Sequence, residues 1–276
     1  MYKYKYVDNI VPRVDNPKLF LGRGVHAGIA AYYEGKDPLK AFDDWLEGAA
    51  SKIPDDARPA DVESIIEPVR LGRKLVGAYV DFARQNDDFE VVAIEQDFRT
   101  PVWSMNPDTC ELEVVPDVFH RGRLDGVVRD KNGRLWVLEH KTCAQFTNPI
   151  LLQKSEQTGY YVLACKQLFD EPVVGTIYNL IRKVDPAKAR TDMIRRELVP
   201  CNDYEVGSYI NRLYNAYNRI VTDDIMDPSS GQHCTWMCPY RVLCTGEDDG
   251  SDVASVVDEL FMARTPYEDA DEEEVA

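Results

Sequence analysis

The sequence has no run approaching the ~18 consecutive apolar residues of a membrane-spanning helix. Its opening residues, Met1-Tyr2-Lys3-Tyr4-Lys5-Tyr6, lack the apolar segment of a secretory signal. Both absences predict a soluble, cytoplasmic protein with no membrane partner. There is no internal repeat. Cysteine is too sparse and uneven for a disulfide framework: there are seven in 276 residues, and none precedes Cys110. Basic charge is also short, with 32 Lys and Arg against 48 Asp and Glu, a net of -16. Taken alone, that balance argues against a nucleic-acid binder, whose phosphate contacts need a basic face. The deficit is local, however. From Glu247 to Ala276 there are twelve acidic residues and one basic residue, Arg264, which leaves the rest of the chain at only -5. The acidity is largely a property of the C-terminal stretch.

What is present is ordinary for a globular protein, 44% hydrophobic and 29% charged. Apolar residues recur at helical spacing over 25–33, 38–50 and 61–84. The period then shortens. Residues 89–98, 117–129, 134–142 and 173–184 read as strands bounded by turn residues, and 151–169 and 203–221 return to helical spacing. This order predicts one α/β domain over 1–246, a Cys-rich element at 233–244, and a flexible acidic tail over 247–276.

The most informative segment runs from Arg121 to Thr142. Asn132-Gly133 between two strand-like runs signals a hairpin, and two turns are compatible with it. A three-residue loop, Lys131-Asn132-Gly133, pairs Asp130 with Arg134 and sets Asp125 opposite Glu139, so that Asp125, Glu139 and Lys141 share one face. A two-residue loop sets Asp125 opposite His140 and turns Glu139 away. The first register is preferred because it gathers two carboxylates and a lysine, a set suited to Mg²⁺ or Mn²⁺ and to phosphoryl chemistry. Without that chemistry, the segment is a surface hairpin carrying an ion pair of modest energy.

Gly122-x-x-Asp125 followed by Glu139-x-Lys141 resembles the PD-(D/E)XK nuclease superfamily. Gly24-Val25-His26 on an N-terminal helix and Gln157-x-x-x-Tyr161 after the lysine resemble its RecB-like branch, which includes Cas4 proteins and phage exonucleases. The resemblance implies a restriction-endonuclease-like α/β core, a central mixed sheet flanked by helices. It further implies that His26, Asp125, Glu139 and the His140 carbonyl bind Mg²⁺ or Mn²⁺. Lys141 is then catalytic, with Gln157 and Tyr161 beside it and at the DNA. Independently of the resemblance, Arg121 and Arg123 belong to a basic rim around the hairpin and are expected to contact DNA. The His140 side chain belongs to the opposite face. Glu95 is a further acidic candidate. Asp117, the literal Pro-Asp, lies too far along its strand. Gly22-x-Gly24-x-x-Ala27 lacks the strand and acidic residue of a dinucleotide site.

Cys234, Cys238 and Cys244 suit an iron–sulfur cluster or zinc. In Cas4-like nucleases a comparable trio joins an N-terminal cysteine around four irons. Here the first spacing is C-x3-C rather than C-x2-C, and the N-terminal cysteine is missing. His233, Cys201 or Cys143 could serve as the fourth ligand, or the site could be degenerate and empty. Cys110 and Cys165 read as small buried residues.

The expected function is a metal-dependent DNA exonuclease of phage or mobile-element recombination, acting on ends or single strands, with a recombination partner protein. A non-catalytic DNA-end-binding or assembly module that keeps the nuclease fold is the alternative. A structural zinc protein is the third reading.

Overall fold

The computed structural model describes residues 3–14, 16–51, 53, 58–106, 108–222, 228, 231, 234 and 238–264. Its elements in chain order begin with β1 (Ile10–Pro12), α1 (Pro17–Tyr33), α2 (Pro38–Ala50), α3 (Pro59–Asn86), β2 (Glu90–Met105) and β3 (Leu112–Arg129). There follow β4 (Leu135–Cys143), α4 (Pro149–Gln153), α5 (Glu156–Phe169), β5 (Val173–Arg182), β6 (Ile194–Pro200) and α6 (Asp203–Thr222). The last described elements are α7 (Arg241–Asp249), α8 (Val253–Leu260) and β7 (Phe261–Ala263). No helix among the described residues is long and apolar enough to cross a membrane.

The chain divides into two units, residues 21–47 with 67–222, and residues 1–20, 48–66 and 223–276. The larger unit is built on a five-stranded mixed sheet in the order β2-β3-β4-β5-β6. Neighbouring strands are antiparallel except β4 and β5, which run parallel. A parallel pair needs a long crossover, and α4 and α5 supply it. β4 is buried along Leu135–His140, as suits an interior strand covered on both faces. On one face Val25 and Ile29 of α1 and Leu75, Val76 and Tyr79 of α3 pack with Ile181. On the other, Val162, Leu163 and Cys165 of α5 and Tyr209 of α6 pack with Leu124, Val127, Leu135 and Val137. This is the expected mixed α/β class.

The β3–β4 hairpin takes the three-residue turn. Gly133 sits at φ 77, the left-handed region that favours glycine. The Asp130 amide donates to the Arg134 carbonyl at 3.0 Å, and the Gly133 amide to the Asp130 carbonyl at 2.9 Å. The ladder then runs from Arg129↔Leu135 to Gly126↔Leu138. The Asp130 carboxylate fixes this turn by accepting from the amides of Asn132 and Arg134, from Arg134 Nε and from Trp136 Nε1.

Several expectations fail for local reasons. α1 starts at Pro17, eight residues before the expected start, because its glycines serve close packing rather than chain breaking. A Cβ at Gly24 would lie 2.8 Å from Phe42 and from Trp45. The single helix expected over 151–169 is two helices. The Thr158 hydroxyl donates to the Leu152 carbonyl at 3.0 Å, taking an acceptor that a continuous helix would have used. Cys110 is exposed rather than buried, in the β2–β3 turn with φ 57.

The smaller unit holds β1 paired with β7 and a core of Tyr4, Tyr240, Leu243 and Phe261. Residues 247–264 are therefore folded, not tail. Gly250 ends α7 in the left-handed conformation, and the Asp252 side chain caps α8. Residues 265–276 lie outside the described residues, as does His233. Cys238 and Cys244 pack beside this core. Among the described residues, Cys234, Cys238 and Cys244 do not gather into a metal-holding group, and Cys143 and Cys201 belong to the larger unit.

Burial acts to raise the Asp130 carboxyl, but its hydrogen bonds to Arg134, Trp136 and Asn132 hold it well below the usual range. A depressed folded value stabilises above the unfolded pKa of about 3.9 and is lost as pH falls toward the folded value. Asp130→Ala should therefore cost roughly 1–3 kcal/mol at neutral pH. The gap to wild type should narrow below about pH 4, read by urea denaturation from pH 7 to pH 3.

Candidate active site

The hairpin register sets Asp125 opposite Glu139, one step beyond the last ladder pair. In an antiparallel ladder the doubly bonded pairs alternate, so the next after Gly126–Leu138 would join Leu124 to His140. The ladder stops instead, and the His140 amide donates to Asp125 Oδ2 at 2.8 Å. The strands part there, and a side chain takes over the backbone bond. Asp125 Oδ1 meets His26 Nδ1 of α1 at 3.2 Å. From β2, the pairs Ile94↔Gly126 and Gln96↔Leu124 bracket Glu95 opposite Asp125. Glu95 holds φ 47, sparsely populated for a residue with a Cβ. Three neighbouring strands thus present three carboxylates in a row.

Glu139 is 3% exposed although ionisable. Its Oε1 accepts from Lys141 Nζ at 3.0 Å and from Gln157 Nε2 at 2.9 Å. Lys141 Nζ also donates to Gln157 Oε1 at 2.5 Å, which fixes the amide orientation. Gln157 comes from the first turn of α5. Four residues on, Tyr161 lies on the same helix face as Gln157 and packs edge-on against Phe98. Lys141 Nζ lies 5.7 Å from the Tyr178 ring centre.

The His140 side chain takes the other face, stacked on Tyr33 and edge-on to Tyr79. Its Nδ1 is 3.3 Å from Asn179 Nδ2, and Asn179 is bonded in turn to Tyr79 and Arg196. Burial pushes this ring down to about 3, so it stays neutral.

The electrostatics are those of crowded acids. Burial and then Asp125 raise the pKa of both Glu139 and Glu95. Asp125 is lowered: burial would raise it, but the hydrogen bond and charge of His26, with the His140 ring and amide, together outweigh that. For His26 itself, burial pulls down, while Asp125, Glu139 and Glu95 push up more strongly, to about 9. Burial likewise lowers Lys141, and Glu139, with Tyr178 and Asp125, more than restores it.

These residues fit a hard divalent cation. One ligand atom each from His26, Glu95 and Asp125 lie within 4.8 Å of one another. Beside them Glu139 Oε2 is buried with no hydrogen-bond partner among the described residues. An orphaned carboxylate oxygen is costly, and a cation among carboxylates removes that cost.

A family model for the PD-(D/E)XK nuclease superfamily matches residues 1–245. The chain belongs to that superfamily. No curated protein matches it. A solved structure described as the crystal structure of SSO0001 is similar at 17% identity, covering 80% of this chain and 85% of its own, with a TM-score of 0.33. So low a score carries no argument.

In this PD-(D/E)XK nuclease the fold brings together His26, Asp125, Glu139, Lys141 and Gln157, with Tyr161 behind Gln157. Of the two arginines expected at the DNA, Arg123 reaches the edge of the cluster, its Nη1 3.8 Å from Glu95 Oε2. Arg123 is held by Asp97 through two hydrogen bonds of 2.6 and 2.7 Å, and Arg121 lies on the same strand, opposite Arg99. Asp117 sits at φ 58 in an irregular part of β3. Glu95, a minor candidate in the sequence, is a full member of the cluster. The signal for it was the pairing of β2 with β3, which two register shifts hide.

Clustered carboxylates destabilise the fold until a cation joins them. Glu95→Gln should therefore melt higher than wild type in EDTA. Wild type should gain stability from Mn²⁺, about 2.7 kcal/mol at a hundred times Kd, and the variant should gain much less. Thermal denaturation in EDTA and in Mn²⁺ reads both. An unchanged response to Mn²⁺ in Glu95→Gln would remove that residue from the site.

Proposed function

We propose that the chain is a divalent-metal-dependent deoxyribonuclease of the RecB-like branch, degrading DNA from ends or along single strands. The observation that carries the reading is the convergence of His26, Glu95, Asp125 and Glu139 with Lys141 bonded to Glu139. Gly24-x-His26 and Gln157-x-x-x-Tyr161 support the branch. An exonuclease with a recombination partner in a phage or mobile element suits that branch.

Hydrolysis adds water across a phosphodiester. The water oxygen bonds to phosphorus, the bond to one bridging oxygen breaks, and that oxygen takes a proton to leave as a hydroxyl. His26, Glu95, Asp125, Glu139 and the His140 carbonyl would hold Mg²⁺ or Mn²⁺. When bound, the ion supplies Lewis acidity at a phosphoryl oxygen. Lys141, held between Glu139 and Gln157, orients the attacking water and offsets charge on the phosphoryl group. Gln157 keeps Lys141 and Glu139 in mutual register, with Tyr161 one helical turn further along the same face.

End-labelled single- and double-stranded DNA, incubated with Mg²⁺, Mn²⁺ or EDTA, tests the reading. Wild type should cleave only with metal. Glu139→Gln and Lys141→Ala should each lose about 10²-fold or more in rate while keeping the wild-type circular dichroism spectrum. Cleavage unchanged in both variants contradicts the assignment. Metal-independent binding without cleavage would favour the DNA-end-binding module instead.

A further inference from the structure

Beyond Lys141 the sheet carries a second constellation that hydrolysis does not use. Strand pairing sets Lys141 beside Leu180, and Leu180 beside Arg195. One step of two residues further along, Cys143 lies beside Arg182. Residues paired across strands, or two apart along one, share a face. Lys141, Arg182 and Arg195 therefore stand on the same face of β4, β5 and β6. Strand spacing and rise put the Arg182 backbone about 8 Å from that of Lys141. Consecutive phosphates of one strand advance by about 3.4 Å along a duplex axis.

The chain leaving β4 passes over these arginines. The guanidiniums of Arg195 and Arg182 lie 4.6 and 5.6 Å from the Phe146 ring centre. Arg195 Nη2 donates to the Thr147 carbonyl at 2.9 Å. Arg182 Nη1 donates to Thr191 Oγ1 at 2.6 Å, and the Lys183 amide to the Cys143 carbonyl at 2.8 Å. Burial raises the Cys143 thiol, and Lys183, Arg182 and Arg195 all act to lower it, so three cations surround one point. Glu197 offsets Arg195 at 2.8 Å. Arg182 has no carboxylate partner among the described residues, and its Nε and Nη2 have no protein acceptor there. An oriented guanidinium with free N–H groups matches the oxygens of a phosphodiester.

We propose that Arg182 and Arg195, braced on Phe146, grip the phosphates that flank the scissile one on a single DNA strand. The inference rests on the nuclease reading and deepens it, giving the site a sequence-independent hold on the backbone.

The test uses the full chain with a fluorescent single-stranded oligonucleotide in Ca²⁺, titrated at several salt concentrations, alongside steady-state cleavage in Mg²⁺. Arg182→Ala/Arg195→Ala should weaken binding about tenfold and reduce the slope of log K against log salt by about 1.4, as expected when two phosphates are no longer neutralised. KM should rise with kcat within about twofold. Arg182→Gln, which keeps a donor to Thr191, should lose about half of that slope even if the double variant folds poorly. Arg182→Lys should keep the slope. Unchanged affinity and slope in the folded variants, with wild type cleaving, overturn the grip and leave the nuclease reading intact. A reduced slope in a protein whose wild type never cleaves overturns the hydrolytic reading and leaves the grip standing. Wild type that does not bind the oligonucleotide overturns the grip.

Discussion

The three-residue turn at Lys131-Asn132-Gly133 is the constraint on which the site depends. It pairs Asp130 with Arg134 and so sets the facing of the ladder from Arg129↔Leu135 to Gly126↔Leu138, and of Asp125 and Glu139 just beyond it. A slip of one residue would turn Glu139 away and bring His140 against Asp125. With the observed register Asp125 and Glu139 meet, and Lys141 follows two residues later on the same face. The parallel pairing of β4 with β5 carries the same alignment outward to Arg182 and Arg195. One turn thus positions both the acids and the basic face beyond them.

Gathering acids in a half-closed site is unfavourable, and the surrounding residues show how the fold tolerates it. Asp125 takes one backbone donor from His140 and one ring donor from His26. Glu139 is matched on one oxygen by Lys141 and Gln157 and left bare on the other. Behind the strand, the neutral His140 ring is locked by Asn179, Tyr79 and Tyr33, and Arg196 ties Asn179 to Asp87. A buried polar network with its partners met is rigid, so the His140 backbone, which holds Asp125 through its amide, is rigid as well. A proton on His26 and a divalent cation answer the same carboxylate charge. The site is complete in geometry and short of positive charge, as a metal centre should be.

Legibility in the sequence followed the range of the interactions. The hairpin was readable because Asn132-Gly133 is a local signal; its register was one of two compatible turns, preferred because it gathers Asp125, Glu139 and Lys141 on one face. Gln157 and Tyr161 came from the family resemblance, and their i, i+4 spacing added only that they share a helix face. Glu95 was not, since its position depends on β2 pairing across a long hairpin with two register shifts and on its own left-handed backbone. β6 was missed because Ile194-Arg195-Arg196-Glu197-Leu198 barely alternates and lies at a sheet edge. The acidic C-terminal stretch misled for another reason. Charge density suggested tail, yet Gly250 and Asp252 supply the stop and start signals of two helices, α7 and α8, and β7 pairs with β1. Cysteine spacing suggested a cluster that the described residues do not assemble.

The central claim is that the hairpin register builds a divalent-metal site. Anomalous diffraction from a crystal of the protein grown with Mn²⁺ tests it most directly. The account predicts a strong peak bounded by His26, Glu95, Asp125 and Glu139. Crystals with the four residues ordered and no peak among them would contradict it.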